Sequence, residues 1–324
     1  MGESAPASIP PTASGTARED GFTGGRTEKS LTVLDDGSPE PDAAAGCGGA
    51  ALELSGAVKH FPLGRRTLVA LDGVDLTVGK GEFVSLLGPS GCGKSTVLRL
   101  LAGLEETTAG QVHVHGRTPA ALVKEHRLGI AFQQHALLPW ASIAENVALP
   151  FRAAGRPVDR ARIAELLRLT GLADFADARP RQLSGGMRQR AAIARALALD
   201  PEVLLLDEPF GSLDAVTRRR LNVELARIWS EQRITTLLVT HDVEEAVLLA
   251  DRVVVLTGRP GRVRHVERIG LPRPRDGRLT REPGFHDIVD RLTELLDGDM
   301  ESGTGPGRGG APGPTHHPAP RRPR

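Results

Sequence analysis

An α/β fold built around a mostly parallel β-sheet is the class this sequence predicts, and three features predict it. Short apolar runs rich in β-branched residues, Phe83–Leu87, Val203–Leu206, Ile234–Thr240 and Val253–Leu256, read as strands buried on both faces. Helical patterns lie between them at the spacing of strand–helix–strand units. The first of these strands runs directly into Gly88, Pro89, Ser90, Gly91, Cys92, Gly93, Lys94, Ser95 and Thr96, and then into the apolar stretch Val97–Leu101. Strand, glycine loop and helix thus follow without a break.

Taken in chain order, Ala51–Leu54, Val74–Val78 and Gln111–Val114 predict short strands flanked by turn glycines. Ile130–Phe132 is a further strand-like stretch. Asp159 is placed to cap a helix that puts Ile163, Leu166 and Leu167 on one face, and Gly171 is placed to end it. Ser184 caps the next helix, in which Met187, Ala191, Ala194 and Leu197 share a face, with Asp200-Pro201 as its stop. A last short helix is predicted over Ile288–Leu296. No internal repeat of the solenoid kind interrupts this order.

Composition narrows the class further. The chain has 324 residues, 40% hydrophobic and 25% charged, which suits a globular protein with a sizeable core. Its net charge of +1 calls for no nucleic acid and no acidic substrate. No apolar run reaches membrane-spanning length and the N-terminus lacks the layout of a signal peptide. Cys47 and Cys92 stand alone in unlike contexts, so a disulfide is not expected. Residues 1–50 and 300–324 are rich in Gly, Ser, Pro and Ala with no hydrophobic period; disorder is expected of both, and His316-His317 is too isolated to argue a metal site.

The glycine loop is a phosphate cradle by its chemistry. Glycines let several backbone N–H groups turn inward, and the following helix adds the positive end of its dipole. Lys94 then reaches the β- and γ-phosphates, and the Ser95 hydroxyl takes a place on Mg²⁺. Asp207 and Glu208 end the strand Val203–Leu206 at the edge where the glycine loop sits, so Asp207 faces the metal and Glu208 accepts a proton from attacking water. Ser184-Gly185-Gly186 opens a second helix with bare N–H groups suited to an anion. Two unshielded glycines at the start of a helix weaken it by up to about 1 kcal/mol each.

Through Leu183-Ser-Gly-Gly-Met187 and the glycine loop before it, the chain resembles the ATP-binding subunits of ABC transporters over residues 51–299. The resemblance implies a P-loop NTPase (RecA-like) core, an antiparallel β subdomain and an inserted helical subdomain at about 136–190. It implies a head-to-tail pair of copies with ATP at the interface, Ser184 of one facing Lys94 of the other. Gln133 matches the glutamine that touches Mg²⁺ and links the site to a membrane subunit. Ser212-Leu213-Asp214 matches the loop crossing the interface, and His241 the switch histidine on the γ-phosphate. Phe61 falls where the family stacks an aromatic ring, more often tyrosine, on adenine.

Gln133–Val147, with its Leu-Pro-Trp140 run, is similar to the nitrate, taurine and aliphatic sulfonate importers, as are Thr240–Leu256, Arg259-Pro-Gly-Arg262 and Leu271-Pro-Arg-Pro-Arg275-Asp276. Within that group the overall likeness favours aliphatic sulfonates, with nitrate, taurine and a thiamine precursor as alternatives. The implied partners are two permease subunits and an extracytoplasmic solute-binding protein, with the chain peripheral on the cytoplasmic side of the cell membrane. A regulatory ABC ATPase without a permease is the reading of another class.

Overall fold

The computed structural model describes residues 49–211 and 213–302. The tails predicted to be disordered, Cys47, the His316-His317 pair and Ser212 lie outside the described residues, apart from the tail positions that border them. In chain order the elements are β1 (Ala50–Leu63), β2 (Arg66–Gly79), β3 (Phe83–Leu87), α1 (Lys94–Leu101), β4 (Ala109–Val114), α2 (Pro119–Lys124), β5 (Leu128–Ala131), α3 (Ile143–Ala153) and α4 (Arg160–Leu169). There follow α5 (Gly185–Ala196), β6 (Val203–Asp207), α6 (Ala215–Gln232), β7 (Thr235–Thr240), α7 (Val243–Leu249), β8 (Arg252–Leu256), β9 (Val263–Arg268) and α8 (Pro283–Ser302).

Two sheets result. One is antiparallel, in the order β2-β1-β4; the other has six strands in the order β5-β6-β7-β3-β8-β9. Its first five strands are parallel, and β9 closes the edge antiparallel to β8. Side-chain alternation along each buried strand divides the core in two. Val84 and Leu86 of β3, Val203 and Leu205 of β6, and Leu237 and Val239 of β7 face α1 and the antiparallel sheet. Phe83, Leu87, Leu204, Leu206 and Leu238 face the other way, into a cluster with Trp229, Leu248 and Phe285. Runs that are apolar at every position therefore form central strands, because both faces are covered.

The helix caps act as expected of their residue types. Asp159 accepts from the Arg162 amide at 2.9 Å, and Ser184 from the Met187 amide at 3.3 Å. Several boundaries differ from the sequence expectation. β1 and β2 each run 14 residues, since pairing with one another extends them through polar positions. α5 ends at Ala196, before Asp200-Pro201, and α8 extends well beyond Ile288–Leu296 on both sides. β9 was not foreseen; its residues alternate half-buried and exposed, Arg and Glu included, as suits an edge strand.

The segment after β9 is fastened by two arginines. Arg273 pairs with Asp251 at 2.7 Å and lies 4.0 Å over the Trp229 ring. Arg275, only 4% exposed, has no carboxylate partner among the described residues; it donates instead to the carbonyls of Val247, Leu248, Ala250, Ile269 and Leu271. It thus caps the C-terminal end of α7, where the helix dipole is negative.

Candidate active site

The parallel register places the carboxyl ends of β3, β5, β6 and β7 along one edge of the sheet, and each delivers a polar residue there. From β3 comes the glycine loop. Gly91 and Gly93 have φ of 79° and 107°, a region L-side chains rarely adopt. A Cβ at Gly93 would lie 2.6 Å from Leu71 Cδ2 and 2.9 Å from the Ala70 carbonyl, so close packing against β2 also demands glycine. Lys94, 4% exposed, curls back and donates to the carbonyls of Gly88 (2.7 Å) and Pro89 (2.9 Å). Ser90 and Cys92 complete the loop; burial pushes the Cys92 thiol pKa up, against the pull of neighbouring Lys94. Thr96 follows Ser95 within α1.

Asp207, at the end of β6, accepts from the Ser95 hydroxyl at 2.9 Å. Burial pushes its carboxyl above the usual range; the Ser95 hydrogen bond pulls it down and the charge of Glu208 adds to the rise. Such a carboxylate gains from a cation brought beside it. Glu208, the next residue, has φ 44°, a strained setting for a non-glycine residue. Its amide donates to Val239 (2.8 Å) and its carbonyl accepts from Gly211 (3.2 Å), which holds the turn. One oxygen, Glu208 Oε2, is met by Gln133 Nε2 at 3.1 Å and lies 3.3 Å from His241 Nδ1.

The chain therefore gathers Lys94, Ser95, Gln133, Asp207, Glu208 and His241 at a single edge. Beyond these and the glycine loop with Thr96, the predicted residues stand elsewhere. Ser184, Gly185 and Gly186 open α5 beside the start of α6: a Cβ at Gly186 would lie 3.0 Å from Thr217 Cγ2, and one at Gly185 3.8 Å from Leu213 Cδ2. Asp214 caps α6, accepting from Val216 (3.1 Å) and Thr217 (3.0 Å), and those bonds hold its carboxyl below the usual range. Phe61 lies half-buried near the far end of β1, with Lys59 Nζ 4.9 Å from its ring centroid.

Two supports escaped the sequence reading. Asn146, fully buried, accepts from the Leu138 amide (2.7 Å) and donates to the Leu138, Ala141 and Ser142 carbonyls, fixing the turn that presents Trp140, which is 71% exposed. Arg259 donates from Nε (3.1 Å) and Nη2 (3.0 Å) to the Gly91 carbonyl. The Arg259-Pro-Gly-Arg262 run was the available signal for the second; nothing local pointed to the first.

A model of the ABC transporter family matches residues 71–211. An aliphatic sulfonates import ATP-binding protein of Xanthomonas axonopodis pv. citri is 49% identical over 213 residues, 65% of this chain and 84% of that protein. A nitrate import ATP-binding protein of Synechococcus elongatus is 45% identical over 246 residues, 74% of this chain and 88% of that protein. A bicarbonate transport ATP-binding protein of the same species is 48% identical over 246 residues, 74% of this chain but 37% of that longer protein. Among solved structures, the dimer of MJ0796, a bacterial ABC transporter cassette, superimposes with a TM-score of 0.62 at 35% identity, covering 68% of this chain and all of that one. The same cassette is also known as a dimer in a post-hydrolysis state bound to ADP and Pi, with equal figures. Joined to the geometry at the sheet edge, these matches place the chain in the ABC transporter family, as an ATP-binding cassette that hydrolyses ATP for transport.

Proposed function

We propose that two copies of this chain clamp two ATP molecules and power an importer for aliphatic sulfonates, docked on two permease subunits at the cytoplasmic face of the membrane and served by an extracytoplasmic binding protein. The observation that carries the hydrolytic part is the meeting of Gln133 and His241 on one oxygen of Glu208, on the sheet edge that also holds Lys94 and Ser95. Residues 51–299 form the working domain, and the dimer of the MJ0796 cassette supports the pairing.

In this reading the loop amides, Lys94, Ser95 and Thr96 cradle the phosphates, Lys94 exchanging its carbonyl partners for phosphate oxygens. Ser184, Gly185 and Gly186 of the second copy meet the γ-phosphate from the opposite side, with Asp214 in the loop that crosses between copies. Phe61 stacks its ring on adenine. Ser95, Asp207 and Gln133 offer oxygen donors only, and the Ser95–Asp207 contact of 2.9 Å sets two of them side by side, a donor set that fits Mg²⁺. When bound, Mg²⁺ neutralises charge on the β- and γ-phosphate oxygens. Glu208 orients water in line with the γ-phosphate and takes its proton, while His241 holds the γ-phosphate and the Glu208 carboxylate. Fixed donors need no reorganisation as charge shifts in the transition state, and this preorganisation is the main source of rate.

Docking on a permease is supported by exposed apolar side chains. Trp140 stands out from its pinned turn, and Leu104 and Val123 line a groove of about 350 Å³ with Leu149, Pro150 and Leu199. The solute rests on likeness to the sulfonate relative alone, because a nucleotide-binding subunit has no contact with cargo. Affinity purification of the full chain from its own membranes tests the assignment: a multi-helix permease should accompany it. ATPase activity of that complex should rise with a sulfonate-loaded binding protein and not with nitrate, taurine, a thiamine precursor or bicarbonate. Stimulation by another of these solutes reassigns the cargo; recovery without a permease identifies a free-standing ATPase.

A further inference from the structure

The turn between β8 and β9 lies against the back of the glycine loop, and its contacts are backbone-close. A Cβ at Gly261 would fall 2.2 Å from the Cys92 carbonyl oxygen, so only glycine permits the approach. The turn is stiff: the Thr257 hydroxyl donates to Pro260 (3.1 Å) and accepts from the Arg262 amide (3.1 Å), and the Thr257 amide donates to the Arg262 carbonyl. It is also tied to β2. The Gly261 amide donates to Ala70, Asp72 donates to Gly261, and Arg262 Nε reaches the Asp72 carboxylate at 3.1 Å. Arg259 projects from this anchored turn, exposed to solvent, and directs both Nε and Nη2 to one acceptor, the Gly91 carbonyl.

The peptide unit is planar and trans, so the Gly91 C=O and the Cys92 N–H point in opposite directions. Holding that carbonyl outward turns the Cys92 amide toward the interior of the loop, where it meets the Pro89 carbonyl at 3.3 Å. Lys94 Nζ meets the same carbonyl at 2.9 Å. The loop thus stores its inward donors on Pro89, ready for an anion. Gly91 has no side chain to hold this orientation, and its φ of 79° lies where glycine moves freely.

We infer that Arg259 is a positioning residue for nucleotide binding, acting as a clamp on the Gly91 carbonyl that orients the Cys92 amide toward the phosphates. The inference rests on the glycine loop being the ATP site. A clamp that preorganises the loop lowers the cost of ordering it on binding, and it leaves the acid and the switch histidine untouched. Its guanidinium also adds a fixed positive charge behind the loop.

Nucleotide affinity and turnover measured on the full chain with Mg-ATP separate the possibilities. Arg259→Ala should weaken ATP binding and raise KM about tenfold, with kcat at saturating ATP within about twofold of wild type. Arg259→Lys, which keeps the charge and one donor but not the fork, should recover part of the affinity. Melting temperature without nucleotide should stay level in both variants, because the side chain is exposed, while stabilisation by added ATP shrinks in Arg259→Ala. Wild-type affinity in Arg259→Ala, or a fall in kcat with KM unchanged, overturns the clamp. Lys94→Ala run alongside tells the two readings apart: if it abolishes binding while Arg259→Ala keeps wild-type affinity, the clamp alone fails. If Lys94→Ala binds ATP normally, the loop is not the site and both readings fall.

Discussion

Glu245 carries its carboxyl into the interior four residues after His241, and its ionisation should be written into the pH dependence of stability. The residue is 3% exposed; Oε2 is bonded to the Thr240 hydroxyl and Oε1 has no partner among the described residues. Burial pushes its pKa from 4.5 up to about 8, the charges of Asp242 and Glu208 adding to the rise and Thr240 and Arg218 opposing it. Between those two values the unfolded chain has released this proton and the folded chain retains it. Stability therefore falls as pH rises, by about 1.4 kcal/mol per unit, and levels off above the folded pKa. From pH 5.5 to 8.5 the loss from this group is roughly 3 kcal/mol. Glu245→Gln is neutral throughout; its amide carries a constant penalty of about 1–3 kcal/mol for an unpaired buried donor, and none of the slope. For a domain of this size the melting temperature of the variant should gain about 6–12 °C on wild type across that range. Thermal melts followed by circular dichroism at pH 5.5, 7 and 8.5, at constant ionic strength, measure the difference. Two melting profiles running parallel from pH 5.5 to 8.5 would show that the carboxyl ionises as an exposed one does, and the reasoning from burial would be refuted.

Two other outcomes follow from the same geometry. Glu208→Gln should bind ATP and accumulate as a closed dimer while phosphate release slows by about 10²–10⁴-fold, read by size-exclusion chromatography and a phosphate assay; turnover near wild type removes Glu208 from the base role. Arg275→Met should lose about 3–5 kcal/mol in denaturant unfolding, since it orphans the carbonyls ending α7, with ATP affinity unaltered; a loss below about 1 kcal/mol means water or another donor replaces the guanidinium.

The candidate site residues were legible where each sits in a local pattern. The glycine loop is recognisable from the strand before it and the helix after it, and Ser184 from its place ahead of a helical repeat. Gln133 directly follows the strand-like Ile130–Phe132, and it meets Glu208. β9 was hidden because an edge strand needs only one apolar face, and Val263 and Val266 are too few to announce it. Arg259 and Arg275 were hidden for another reason: an arginine in a proline-rich stretch has the same local appearance whether it ends in solvent or on a carbonyl. Their acceptors, Gly91 and the end of α7, lie 168 and about 25 residues earlier in the chain.

By itself the sequence determined which groups are available and which short segments are strand, loop or helix, because those depend on side-chain type and on neighbours a few residues away. What the tertiary structure alone decided is the convergence. Ser95 and Asp207 stand 112 positions apart and Gln133 and Glu208 stand 75 apart, yet each pair is within hydrogen-bond distance. Parallel strands fix that outcome: their register aligns the carboxyl ends of β3, β5, β6 and β7, and no local rule of conformation contains the order in which they lie side by side.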